Sequence, residues 1–287
     1  MLSANLRSFI FLSDNFILAS TLQPPALLVY GLKQSPADGT AQASIHLLRF
    51  LFEHPLRATT DILLASDPSP GWSPSFRPRV PFLITGDERI IAVNKKFLDD
   101  RAAPQGETFL IPTKSLLVFI ESVPIKEGYD VDWESCGKLL GERVPCHDRW
   151  DIVWTCFVFG MRYILPRVFS LNGKPMVIIH DLSPRRGLRA SKEERKKSNA
   201  LYKVMTRGPR RMSYPHSILT CVSLPESIGD PLNVKLMLGE DGIVVREVCH
   251  RNTYIFVAAR LMRLGCRPLA RARQSFIFSR SEGMGPL

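Results

Sequence analysis

The chain has no CxxC pair, and its six cysteines (136, 146, 156, 221, 249, 266) fall into no regular framework. Its start, MLSANLRSFIFLSDNFILAS, lacks the continuous apolar centre of a secretory signal, because FIFL is broken at once by Ser13, Asp14 and Asn15. Together these absences point to reduced thiols in a cytosolic setting. No window approaches the roughly 18 uninterrupted apolar residues of a spanning helix, so any membrane contact is expected to be peripheral. Phosphate-cradling GxGxxG and GxxxxGK[ST] loops are absent, as are HExxH and HxxxH, and the acidic residues are scattered through turns without a paired-carboxylate motif. No repeat period is visible. The chain is therefore expected to be non-enzymatic, with no metal and no cofactor.

Two further candidates for chemistry reduce to structure. His147-Asp148 and His180-Asp181 are His-Asp dipeptides, but the first sits in a polar connection and the second closes the apolar run VIIHD. His180 is expected as a strand-end residue, and Asp181 as a turn-former or the partner of a nearby Arg. Cys146-His147 are sequence neighbours whose side chains point to opposite sides of an extended chain. Cys156, Cys221 and Cys249 lie in or beside apolar runs, where free cysteine is a small core filler.

What the chain has is localised positive charge. The formal net charge is +11, on an otherwise ordinary globular composition of 45% hydrophobic and 23% charged residues. Between Arg185 and Arg211 eleven Lys/Arg face only two Glu, and Arg260–Arg273 holds five Arg and no acid. The remaining body is near neutral, so polyanionic partners are expected at these two basic elements. The candidate nucleic-acid-binding residues are Arg185, Arg186, Arg189, Lys192, Arg195, Lys196, Lys197, Lys203, Arg207, Arg210 and Arg211. They exceed the roughly six to ten phosphate contacts that make binding tight and steeply salt-dependent. Tyr202 and Tyr214 interleave with them and are placed to stack on unpaired bases. The second element, RLMRLGCRPLARAR, suits a nucleic-acid groove or an amphipathic helix lying on anionic lipid.

Periodicity gives the fold class: mainly β with peripheral helices (α+β), as an antiparallel β-sandwich or jelly-roll-like domain with a basic helical insertion. RIIAV, ETFLI, VPFLI, SLLVFIESV and DIVWTCFVF read as strands bounded by turn residues. LMLGEDGIVV reads as a hairpin. ASIHLLRFLFEH (43–54), with Ile45, Leu48 and Phe52 at helical spacing, predicts an amphipathic helix. Within the basic segment, Ser191 followed three residues later by Glu194 is a capping box, predicting a cationic helix over 192–205. The expected organisation is a partly helical N-terminal module (1–66), a Pro/Ser-rich linker (67–81), a β-rich core (82–265) and a basic C-terminal tail (266–287).

Taken together, 152–260 resembles the 30K superfamily of plant-virus movement proteins. The shared pattern is the apolar run IVWTCFVFG ending at Gly160, then MRYILPRVFSLNGKPMVIIHD, which places Asp181 where the family keeps its signature Asp. A basic insertion comes next, then YPHSILTCVSL with Pro215 and Ser223, and then LNVKLMLGEDGIVVREV. The pattern covers about 110 residues and departs from the family at Ser183-Pro184, which stand before Arg185 where the family has Arg two residues after the Asp. The resemblance implies a compact antiparallel β domain that binds single-stranded nucleic acid (viral RNA or ribonucleoprotein) without sequence preference. It further implies passage of viral genome through plasmodesmata, location in the host cytoplasm and cell periphery, and an architectural Asp181. A homo-oligomer and contact with an anionic membrane surface also fit. The alternative is a viral matrix protein, whose basic elements face anionic lipid and which self-assembles beneath an envelope.

Overall fold

The computed structural model describes residues 6–34, 41–52, 58–67, 69–70, 88–98, 104–123, 128–146, 157–165, 169–171, 174–206, 217–224, 234–238, 242–249 and 252–260. The chain is mainly β, with several antiparallel sheets and four helices among these residues.

The first sheet runs β1 (Leu6–Phe11), β2 (Phe16–Leu22), β3 (Pro25–Gln34), β4 (Ala41–Leu51), with β8 (Tyr129–Asp132) added parallel to β4. The second runs β5 (Ala58–Ala65), β6 (Ile90–Leu98), β7 (Pro104–Pro112) and β9 (Glu142–Cys146). Between β7 and β9 the chain makes α1 (Thr113–Ser122), β8 and α2 (Trp133–Leu140). The third sheet contains β10 (Val158–Phe159), β11 (Arg162–Ile164), β12 (Phe169–Leu171), β13 (Lys174–Asp181) and β14 (Ile218–Ser223), with α3 (Pro184–Arg189) and α4 (Lys192–Thr206) between the last two. The fourth is the meander β15 (Val234–Leu238), β16 (Gly242–Cys249) and β17 (Asn252–Arg260). Among the described residues each sheet is built mostly from strands consecutive in sequence. The exception is β8, which lies between β7 and β9 of the second sheet in sequence but pairs with β4 of the first.

The second sheet is the centre of the molecule. Along β6 and β7, alternate residues serve opposite cores. Ile91, Val93, Phe109 and Ile111 pack with the first sheet, α1 and α2 around Trp133. Ile90, Ala92 and Leu110 pack with the third and fourth sheets, against Val158, Tyr163, Val177 and Ile243. A strand buried on both faces reads as a continuous apolar run, which is how RIIAV and ETFLI appear in the sequence. The polar residues that continue this sheet are satisfied in register. Thr108 donates to Asn94 Oδ1 at 2.9 Å, and the neighbouring pair Lys95 and Glu107 forms a buried ion pair at 3.5 Å with the ammonium 5.0 Å from the Phe52 ring centroid.

Two local expectations are overturned. ASIHLLRFLFEH does not form a helix: 41–51 is strand β4. Leu48, Phe50 and Phe52 are all buried while Leu47 and Arg49 are half-buried, so period-2 burial against β3 wins over the 3.6-residue spacing of Ile45, Leu48 and Phe52. Conversely SLLVFIESV is helix α1. Leu116 and Ile120 are buried one turn apart, while Lys114, Val118 and Glu121 are exposed. VPFLI and most of DIVWTCFVF lie outside the described residues, Val158–Phe159 forming β10. The expected hairpin appears as the antiparallel pair β15–β16. The expected 1–66 module shares its sheets with the downstream chain, since β5 pairs along its length with β6. The 266–287 tail lies outside the described residues.

Candidate nucleic-acid interface

The basic segment is an insertion within the third sheet. β13 ends at Asp181, α3 and α4 come next, and β14 returns antiparallel to β13 with Asp181 opposite Ile218 and His180 opposite Leu219. Asp181 Oδ1 accepts the Ser183 N–H at 2.8 Å, turning the chain out of the strand toward α3. Burial pushes the Asp181 carboxyl up from its ordinary value. The Ser183 N–H and then the charges of Arg162, Arg186 and His180 oppose that shift. Arg162 stands directly across the ladder on β11. The cation beside the strand-end Asp therefore comes from a neighbouring strand as well as from α3. Gly160, which closes the apolar run IVWTCFVFG, turns β10 into β11 at φ 58°, and its backbone bridges sheets: its N–H donates to Asp67 O at 2.7 Å and its carbonyl accepts Ile90 N–H at 2.8 Å.

The capping box forms as expected. Ser191 Oγ accepts the Glu194 N–H at 3.1 Å, and Glu194 Oε2 accepts the Ser191 N–H at 2.8 Å. The helix it starts runs Lys192–Thr206. Glu194 also receives Arg186 at 2.7 Å through Oε1, and this bond, with the Ser191 N–H, lowers its carboxyl to about 2. Arg195 folds back on α3, donating to the Gly187 carbonyl at 2.7 Å and more distantly to that of Ala190. α3 and α4 are thereby locked into one unit.

These contacts divide the expected binding residues. Arg186 and Arg195 are half-buried and engaged within the α3–α4 unit. Lys197 is exposed but pairs with Glu193 at 2.8 Å one turn back, each partner stabilising the other's charged form. Arg189, Lys192 and Lys196 are exposed. Lys192, Lys196 and Lys203 stand at i, i+4 and i+11, on one line of the helix about 16 Å long, with the exposed Asn199 between them. The opposite side of α4 faces the body through Ser198, fully buried, and Leu201. Arg185 lies in α3 and Lys203 in α4. Arg207, Arg210, Arg211 and Tyr214, with the second basic element beyond Arg260, lie outside the described residues.

Sequence reasoning missed three residues that build the site. Ser198 Oγ accepts the Leu219 N–H at 2.9 Å, tying α4 to β14. Its signal was a small polar residue on the side of α4 opposite Lys192 and Lys196. Glu142 on β9 lies 3.4 Å from His180 Nε2, both buried, and takes the Ser217 hydroxyl at 2.9 Å. Arg162 takes its place by strand register. Among the described residues no group of three His, Cys, Asp or Glu is arranged to hold a metal, and no helix is long and apolar enough to cross a membrane.

No family model matches the chain, and neither a curated protein nor a solved structure matches it.

Proposed function

We propose that the chain is a non-enzymatic carrier of single-stranded nucleic acid, held by its phosphate backbone along α4, and that it serves as a viral movement protein in the passage of genome between plant cells through plasmodesmata. One observation carries the binding part of this reading: the exposed Lys192 and Lys196 of α4 share one line of the helix with the register position of Lys203, with only the neutral Asn199 between them. Glu194 is turned into the α3–α4 junction, and Glu193 is neutralised by Lys197 at the flank. A helix stabilised only for solubility mixes both signs along each exposed line, whereas here the exposed acid, Glu193, is closed in a pair with Lys197 on the flank and the line through Lys192 and Lys196 holds no acid. Backbone contact without base reading gives binding indifferent to sequence. The movement role rests on the resemblance of 152–260 to the 30K superfamily.

The test is titration of the full chain with oligo(dT), oligo(U) and a duplex of equal length over a range of salt. Comparable affinity for the two single strands, weaker duplex binding and a steep fall with salt support the reading. Sedimentation with phosphatidylserine vesicles together with regular self-assembly in the absence of nucleic acid would replace it with the matrix reading. For the transport part, a fluorescent fusion in leaf epidermis is expected as puncta paired across cell walls, and a uniform coat at the plasma membrane would count against it.

A further inference from the structure

We propose that Ser198, an uncharged and fully buried residue, is the positioning residue of the interface, setting which face of α4 meets the phosphate backbone. This rests on the reading of α4 as the phosphate-binding element. β14 pairs with β13 on one side only, among the described residues. An edge strand offers N–H groups to whatever lies beside it. Here the Leu219 N–H is taken by Ser198 Oγ at 2.9 Å, so α4 covers that edge and is fastened to it. Leu201, one turn further, packs against the core shared by the second, third and fourth sheets. At the other end of the helix, Arg186–Glu194 and Arg195–Gly187 fix α4 to α3, which is itself a surface element. Those two bonds hold the helical pair together. Ser198 supplies the hydrogen bond that, beside the packing of Leu201, links the pair to the sheet at a defined rotation.

The rotation decides the charge presented. Successive residues of a helix are turned by about 100°, so a shift of one position about the axis would bring Glu193 and Lys197 toward the line now held by Lys192 and Lys196. Glu193 and Lys197 are a closed ion pair with no net charge. The same cations can therefore act as a steep polyanion site or as a weak one, depending on a hydroxyl that never touches the ligand.

The experiment compares Ser198→Ala, which removes the acceptor and no charge, with Ser198→Thr, which keeps the hydroxyl. Readouts are the salt dependence of oligo(dT) binding, hydrogen exchange at the Leu219 amide, and helix content by circular dichroism. In Ser198→Ala we expect Leu219 exchange to rise by about tenfold or more and the slope of log K against log salt to fall by about one counterion with helix content kept. Ser198→Thr is expected to restore both. Should the alanine variant not fold, Ser198→Cys, a weaker acceptor of similar size, is expected to give the intermediate slope. A wild-type chain that binds with a slope unchanged by Ser198→Ala overturns the positioning role alone. A wild-type chain that does not bind oligo(dT) at low salt overturns the interface and the positioning role together.

Discussion

Glu142 Oε2 and His180 Nε2 meet at 3.4 Å across the junction of β9 and β13, with both side chains sealed from solvent and the Ser217 hydroxyl on the same carboxylate oxygen at 2.9 Å. This contact joins the central sheet to the sheet that carries the basic helices, and His180 stands opposite Leu219, the residue to which α4 is fastened. Truncating one member leaves the other buried without its counterpart. Glu142→Ala, which removes the acceptor of the buried Ser217 hydroxyl as well as the carboxylate facing His180, should lower stability by about 1–3 kcal/mol in urea titration. An unchanged urea midpoint in Glu142→Ala would show that this contact does not hold the two sheets together.

The α4 cations should separate into two classes. Replacing Lys192, Lys196 and Lys203 by Ala is expected to reduce the salt slope of single-strand binding by about two, near the roughly 0.7 counterions per contact of single strands, with little change in melting temperature. Arg195→Ala removes a donor to the Gly187 carbonyl and should do the reverse, lowering the melting temperature more than the slope. Equal loss of slope in both variants would mean that α4 does not present one binding face.

Asp181 gives a pH test with a defined sign. Burial raises its carboxyl above the ordinary 3.8, so the folded chain binds this proton more tightly than the unfolded one. The resulting stabilisation is complete below the unfolded value and disappears as pH rises through the folded one. Asp181→Asn keeps an oxygen for the Ser183 N–H but carries no titrating proton. Its melting temperature relative to wild type should therefore climb from the acid range to neutrality, and a falling difference would refute the assignment.

Glu194 should show the opposite trend. Its carboxyl is lowered to about 2 by Arg186 and the Ser191 N–H. Its stabilising contribution is present above the unfolded value of 4.5 and is lost as pH falls toward 2. In Glu194→Gln that part of the acid dependence should vanish, measured as a flatter melting curve against pH between those limits. Because this carboxyl is partly exposed, the effect should also shrink with added salt.

Gly160→Ala tests the turn that ties the third sheet to the second. At φ 58° a Cβ meets the steric cost of the left-handed region, about 1–2 kcal/mol. The loss should appear as faster exchange at Ile90, whose N–H donates to the Gly160 carbonyl.

What could be read from the sequence tracked the range of the forces involved. The Ser191–Glu194 capping box and its helix are set by residues three apart, so the local pattern was sufficient. The twice-buried strands around Ile90–Val93 and Phe109–Ile111 announced themselves as apolar runs. ASIHLLRFLFEH was ambiguous because Leu48 and Phe52 satisfy a helical face and a strand face equally. Pairing with β3 on one side and β8 on the other decided it. SLLVFIESV failed for the converse reason: its apolar density masked the Leu116–Ile120 stripe. Which cations of the basic segment face outward depended on Glu194, Gly187 and Leu219 as partners. The Glu142–His180 contact needs two sheets already in place, and no local pattern carries it.

The alternation of Ile90 and Ile91, and of Leu110 and Ile111, between two separate cores makes the central sheet a common wall. A defect on either face of that wall is felt in both compartments, so the described sheets should melt together and not one after another. Cutting the chain at the Pro/Ser-rich stretch would strip β5 from β6 and take Ile91, Val93, Phe109 and Ile111 away from the core that holds Ile62 and Leu64. The N-terminal portion released in this way should be an aggregating fragment, even though the cut falls at what reads, by composition alone, as a joint between modules.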